Sequence, residues 1–340
     1  MKISLICTVY NEGESIRDLL DSLLDQTRLP DEAVFVDGGS IDNTQEIIEE
    51  YAEENEWIKL YVDEGCNIAE GRNTAVRKAE NDYIVGTDGG CILDENWLES
   101  MAAEFEDGYE FVVGMWKPRS EKMFERVQGR IIASKMSPEE VKKGNRSASS
   151  RSVGFTRKVW IEVGGYPEEL YTGEDSKFNA EILAKGYEQG VAENAWVEWK
   201  MRPTWRSLWE QFKTYGEGDA KGGNLFTHHS KKLGLTKNLL LTAYAKTFLL
   251  TLIATAVSAR YIPEYIKYLV LLLVLEVIGP LIYEKGAIIE SLREDGFKAF
   301  VFALGISQIK LWAWFTGFAV TCFRKPSLLP YQLKEVIRLR

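Results

Sequence analysis

The chain has 340 residues, 45% of them hydrophobic and 27% charged, with 51 acidic against 41 basic side chains. That balance excludes a disordered chain and one embedded in membrane throughout. The net charge of −10 argues against nucleic acid as a partner, because phosphate binding needs a basic face.

Ile3–Tyr10 reads as a buried strand, and Ser15–Asp25 as a helix with Ile16, Leu19, Leu20, Leu23 and Leu24 on one face. Ala33–Val36 is a second strand, stopped by Gly38 and Gly39. Ser40 or Asp42 can cap the helix that follows through Ile47, Ile48 and Tyr51. Ile58–Val62, Tyr83–Thr87 and Phe111–Met115 read as further strands, with helices over Ala69–Ala79 and Trp97–Phe105. This alternation predicts an α/β fold, an open and mostly parallel sheet with helices on both faces. Ligands in such sheets sit beyond the C-terminal strand ends, where Asn11, Asp37 and Asp88 all fall. The first strand is not followed by G-x-G-x-x-G, and no G-x-x-x-x-G-K-[ST] loop occurs, which disfavours a dehydrogenase or a P-loop NTPase.

Residues 116–160 are basic and less regular, suited to a solvated face or to contact with anionic phosphates and a lipid surface. A helix is expected over Asp175–Lys185, ended by Gly186. Trp196, Trp199, Trp205 and Trp209 follow among Arg202, Arg206 and Lys213, a mixture that suits ordinary packing, a membrane interface or a sugar platform. Three apolar segments close the chain: Leu239–Ala259, Tyr268–Tyr283 and Phe300–Phe323. A membrane helix needs about 20 such residues. Lysines before the first segment and the basic tail after the last put both flanks in the cytoplasm, so a spanning hairpin with the third segment partly in the interface is expected. Four scattered cysteines, Cys7, Cys66, Cys91 and Cys322, form no C-x-x-C pair and read as free thiols in a reducing compartment. With no signal peptide at Met1–Ile6, the N-terminal domain is expected in the cytoplasm.

Five motifs fall in order at these strand ends and loops: Val9-Tyr10-Asn11-Glu12, the run from Val36-Asp37 to Asn43-Thr44, Gly71-Arg72-Asn73, Thr87-Asp88-Gly89-Gly90 and Gly173-Glu174-Asp175. Together they resemble the family 2 glycosyltransferases of the GT-A fold, over roughly residues 1–230. The resemblance implies a catalytic domain over 1–230, and the apolar segments with their flanking charges mark a membrane region over 231–323 and a basic cytoplasmic tail over 324–340. The resemblance implies an inverting enzyme that moves a sugar from a nucleoside-diphosphate donor, and the membrane segments beside it suggest a lipid-linked acceptor in the cell membrane, for glycan or polysaccharide synthesis. That acceptor is either the hydroxyl of a lipid-linked sugar or glycolipid, or a polyprenyl phosphate. The alternative is a membrane protein that binds a nucleotide sugar without catalysis.

By the same resemblance Tyr10, Glu12, Asp37, Arg72 and Asp88 bind the donor. Asp37 meets a uracil or guanine N–H, or else it only caps its own turn. Asp175, with Glu174, is the catalytic pair, Asp175 taking the proton of the acceptor hydroxyl; the other reading is an acidic helix start. Asp88 matches the first acid of the D-x-D metal motif, which implies Mg²⁺ or Mn²⁺, while Gly90 stands where the second acid belongs. Arg151 and Lys213 are further contacts to the acceptor or diphosphate. Gln211-Phe212-Lys213-Thr214-Tyr215 departs from the Q-x-x-R-W pattern of processive relatives at Thr214 and Tyr215.

Overall fold

The computed structural model describes residues 1–133, 136–143, 149–222 and 284–325, with positions 278, 281 and 282. The expected boundary at 230, the segment Leu239–Ala259, most of Tyr268–Tyr283 and the tail from 326 lie outside the described residues. The chain forms two compact units: residues 1–119 with 135–200, and residues 120–134 with 201–340.

The first unit holds an eight-stranded mixed sheet. Its strands are β1 (Ile3–Val9), β2 (Glu32–Asp37), β3 (Ile58–Val62), β4 (Tyr83–Asp88), β5 (Cys91–Leu93), β6 (Phe111–Arg119), β7 (Val153–Thr156) and β8 (Gln189–Lys200), in the order β3-β2-β1-β4-β7-β6-β8-β5. The pairs β1–β2, β1–β4, β2–β3 and β6–β8 are parallel; β4–β7, β6–β7 and β5–β8 are antiparallel. β1 and β2 are apolar runs because both of their faces are covered, as a central parallel strand requires. The expected parallel core is present, and β7 enters between β4 and β6 against their direction.

Helices accompany this sheet: α1 (Ser15–Leu24), α2 (Thr44–Glu54), α3 (Ile68–Lys78) and α4 (Trp97–Glu106) follow the early strands in turn. On α1, Ile16, Leu19, Leu20 and Leu23 are buried, as the periodicity predicts, but Leu24 is exposed, one step past the edge of the apolar face. The N-cap position of α2 falls on Asn43, which makes no side-chain cap bond, and not on Ser40 or Asp42; the Asp42 carboxylate, one residue earlier, accepts from the Thr44 backbone N–H and hydroxyl. α3 opens with a capping box between Asn67 and Glu70. Its Gly71 lies against β1 so closely that a Cβ there would stand 2.4 Å from Thr8 Cγ2. This close approach sets Arg72 at the sheet's C-terminal edge.

After α5 (Met123–Ala133), which belongs to the second unit, come α6 (Pro138–Lys142), α7 (Arg157–Val163) and α8 (Glu174–Ala184). Phe155 of β7, Tyr166 and Phe178 of α8 pack edge to face and stacked in the core between sheet and helices.

In the second unit, α5 packs with α9 (Trp205–Gly222) and α10 (Lys285–Arg324). Val127 and Ile131 meet Leu208, Phe212, Ala299, Ala303 and Ile306. Arg126 and Arg130 reach the Asp295 carboxylate at 2.8 and 2.7 Å. Gly296, at φ 78, ψ −168, interrupts α10 directly after that anchor. α10 is long and apolar enough to cross a membrane by length and composition alone, with 33% of its apolar stretch buried. Phe297, Val301, Val320 and Phe323 are exposed on it. Two polar groups of the expected segment are matched within the unit: Lys310 bonds Glu284 at 2.8 Å, and Trp314 donates to Asp219 at 2.7 Å.

α9 and α10 cross backbone to backbone. A Cβ on Gly216 would lie 1.9 Å from the Trp314 carbonyl oxygen, and one on Gly317 would lie 1.9 Å from that of Lys213. Neither neighbour is a side chain that can swing away. Gly216→Ala and Gly317→Ala should each destabilise the second unit by about 1–3 kcal/mol through overpacking. A lowered unfolding midpoint with faster proteolysis within α9 checks this, and Gly286→Ala, where nothing lies within 4 Å, is the control.

Candidate active site

The parallel register aligns Val9 with Asp37 and Thr8 with Asp88, so the ends of β1, β2 and β4 open onto one edge. Asn11, just after β1, takes the left-handed conformation at φ 52. Its amide accepts from the Ile41 N–H at 2.9 Å, and its own N–H donates to Ser40 Oγ at 2.8 Å, which pins the loop after β2.

Asp37 is fully buried. Its Oδ1 accepts from the N–H groups of Gly39 and Ser40 and from Gln45 Nε2 at 2.7–2.8 Å, and its Oδ2 from Ser40 Oγ at 2.5 Å. It therefore holds its own turn, as its capping role predicts. The exposed Tyr10 ring lies beside Gly38, near Cys66.

Arg72 is the hub. It is 4% exposed, and it donates to Glu174 Oε1 at 2.5 Å, to Asp88 Oδ1 at 2.8 Å and to Ser150 Oγ at 2.8 Å. Burial works against its charge, but Asp88 and Glu174 outweigh that and raise it further above the ordinary arginine value. Both terminal nitrogens are thus committed to protein groups. The neighbouring Asn73 fixes the loop before α8, bonding the Tyr166 backbone on both sides, Trp160 and Glu168.

Gly173, in the left-handed region at φ 78, turns the chain into α8 and presents Glu174 and Asp175 in its first turn. Glu174 faces inward to Arg72. Asp175 is half-buried; its Oδ1 accepts from the Ser176 N–H at 2.7 Å and its Oδ2 from the Ser150 N–H at 3.4 Å. Ser150 thus touches Arg72 through its hydroxyl and Asp175 through its backbone. Arg151 follows, its guanidinium 3.7 Å from the Trp199 ring centroid and 5.7 Å from that of Trp116, with Nε 4.0 Å from Asp88 Oδ2. Such stacking orients a cation without neutralising it.

The structure therefore brings together Asp88, Arg72, Glu174, Asp175 and Arg151, and sets Tyr10, Glu12 and Asp37 along the β1 and β2 ends. Lys213 stands on α9 in the second unit, paired with Glu210 at 3.4 Å and Glu217 at 3.7 Å. Sequence reasoning passed over Ser150, Trp116 and Tyr166. A lone serine in a basic stretch carries no signal, whereas the aromatic residues beside a basic run were a usable one.

Burial pushes the Glu174 carboxyl up to about 7, against the pull of Arg72 and with a further push from Asp175. Between about pH 4.5 and pH 7 the folded chain then holds a proton that the unfolded chain has released, so stability falls as pH rises through that window and levels off above it. Glu174→Gln should flatten this slope. Urea unfolding at about pH 5 and pH 7 checks it, the wild type losing up to about 3 kcal/mol more than the variant across the interval.

Among the described residues no group of three or more His, Cys, Asp or Glu side chains is arranged to hold a metal ion. Asp88 nevertheless presents a partly exposed carboxylate, and Gly89 and Gly90 leave the space beside it without side chains of their own. A hard divalent ion that takes its other ligands from phosphate oxygens and water fits such a donor.

Residues 4–161 match the model of glycosyl transferase family 2. The glycosyltransferase AglE of Haloferax volcanii is 26% identical over 226 residues, 64% of this chain and 72% of that protein. The O-antigen chain rhamnosyltransferase RfbN of Salmonella typhimurium is 26% identical over 228 residues, 63% of this chain and 70% of that protein. Among solved structures, the mannosyltransferase PcManGT from Pyrobaculum calidifontis, in complex with GDP-Man and Mn²⁺, superposes with a TM-score of 0.56 at 16% identity, over 95% of this chain and 88% of that one. Residues 1–349 of Staphylococcus aureus TarS in complex with UDP-GlcNAc give 0.52 at 18% identity, over 96% and 92%.

Proposed function

The chain is a glycosyltransferase whose residues 4–161 belong to family 2, on a GT-A fold; from that premise we propose that it transfers a sugar from a nucleoside diphosphate to a lipid-linked acceptor with inversion at the anomeric carbon. One observation carries the reading. The buried Arg72 ties Asp88, the donor-side acid, to Glu174 next to Asp175, so the donor end and the base end of the reaction share one scaffold.

In this mechanism Asp175 takes the proton of an acceptor hydroxyl as that oxygen attacks the anomeric carbon. The bond from that carbon to the diphosphate oxygen breaks on the opposite face, and the nucleoside diphosphate leaves. Arg151, oriented by Trp199 and Trp116, faces the negative charge of the leaving group beside Asp88. Arg72 keeps Glu174 and Asp88 in place. Tyr10 and the Asp37 turn receive the nucleobase. A divalent ion, when bound at Asp88, supplies further charge neutralisation to the diphosphate. The complexes of related fold with GDP-Man and Mn²⁺ and with UDP-GlcNAc support a nucleotide-sugar donor and a divalent ion.

The exposed apolar residues of α10 support an acceptor held at a membrane. Glu174-Asp175 favours a hydroxyl acceptor over a polyprenyl phosphate, which is already ionised and needs no base. Incubating the full chain with radiolabelled nucleotide sugars and a membrane lipid extract tests the proposal. Label in the lipid phase is the expected result. Binding of UDP or GDP without transfer to any lipid fraction would support the non-catalytic alternative.

A further inference from the structure

The D-x-D pattern lacks its second acid, yet the space beside Gly90 is not empty of carboxylate. A Cβ built on Gly89 would stand 2.9 Å from Glu12 Cγ and 3.1 Å from its Cδ, and one on Gly90 would stand 3.5 Å from Glu12 Oε2. The two glycines therefore open a gap that the Glu12 side chain fills from the loop after β1. A carboxylate carried on residue 90 would start at that Cβ; Glu12 brings one to the same spot from the other side. The β1–β4 register, with Thr8 opposite Asp88, keeps the two loops adjacent. Ser15 Oγ donates to Glu12 Oε2 at 3.0 Å and so orients the group.

We propose that Glu12 supplies, with Asp88, the second protein carboxylate for the divalent ion that accompanies the donor diphosphate. This rests on the donor-site reading above and deepens it. Mg²⁺ and Mn²⁺ sites of this kind need only one or two carboxylates when substrate phosphates and waters complete the shell. The ion's affinity should therefore be nucleotide-dependent. It should also survive the loss of an acid at position 90, because the pair is rebuilt across two strands rather than along one.

The test measures Mn²⁺ binding to the full chain by electron paramagnetic resonance, with UDP or GDP present. Glu12→Gln keeps an oxygen to accept from Ser15 and should weaken Mn²⁺ by about tenfold or more, a larger loss than it causes in metal-free nucleotide affinity. Adding Gly90→Asp to Glu12→Gln should restore Mn²⁺ binding. Gly90 is not at positive φ, and a Cβ there meets only ordinary van der Waals contact, so its backbone accepts the change. The unfolding midpoint of each variant controls for folding. Wild-type Mn²⁺ affinity in Glu12→Gln, with loss in Asp88→Asn, would overturn the role of Glu12 alone. A wild type that binds nucleotide but no Mn²⁺ overturns the metal site while leaving sugar transfer standing. One that binds neither UDP nor GDP overturns the donor site, and this inference with it.

Discussion

Asp175→Asn should slow sugar transfer by about 10²–10⁴-fold, the usual range for removing a general base, while nucleotide affinity stays at the wild-type level. The geometry makes the substitution clean. The carboxamide oxygen keeps the bond from the Ser176 N–H at 2.7 Å and gives up only the long one from the Ser150 N–H at 3.4 Å, so the start of α8 keeps its shape. What is lost is the capacity to accept a proton. Single-turnover transfer rates, with nucleotide titration in parallel, check the outcome. Transfer at the wild-type rate would remove Asp175 from the mechanism and move the acceptor assignment to an already ionised phosphate, which needs no base.

Arg72→Met should be the most damaging single change to stability, costing about 3–5 kcal/mol, because it removes the buried cation that Glu174, Asp88 and Ser150 all bond, leaving Glu174 to hold a proton and Asp88 to lean on Arg151. Glu174 has a 6% exposed side chain and loses its only short cationic contact. Asp88 keeps Arg151 at 4.0 Å, a weaker substitute. Arg72→Lys should fall between, since one ammonium cannot reproduce the fork that bonds Glu174, Asp88 and Ser150 together. Pairing Arg72→Met with Glu174→Gln should recover part of the loss, because the amide needs no counter-charge at any pH. Urea unfolding of the three variants reads this directly; an Arg72→Met midpoint equal to the wild type would show that the ion network carries no stability.

The parallel core was legible because its strands are short apolar runs, each stopped by polar or glycine residues, and because α1 repeats leucine and isoleucine at helical spacing. β7 and β8 were not. β7 is four residues in a basic segment, and Gly154 sits there because a Cβ would meet Phe105 at 2.8 Å, a packing demand with no local signature. β8 slips register against β6 between Val113 and Met115, which breaks the alternation a strand would show. Trp199, which suited packing, a membrane interface or a sugar platform equally, lies with Trp116 against the Arg151 guanidinium. The motif residues at 37, 72, 88, 174 and 175 stood out because several chemistries meet at strand ends and one helix start. Ser150 joins them only through contacts across 78 and 25 residues of chain, which no local pattern encodes.

The backbone crossing of Gly216 and Gly317 sets an order of manufacture. The sheet is complete once residue 200 has been made, and the first unit can close while the rest of the chain is still being synthesised. α5 and α9 are made early, but part of the surface that packs on them, Ala299, Ala303 and Ile306, arrives about 80 residues or more after α9 ends. Until then that part of their apolar faces lacks its partners on the nascent chain. A ribosome stalled before residue 299 would therefore hold a finished sheet and two helices still short of packing, so residues 299–306 help decide when the chain ceases to need a chaperone or a bilayer to shelter it.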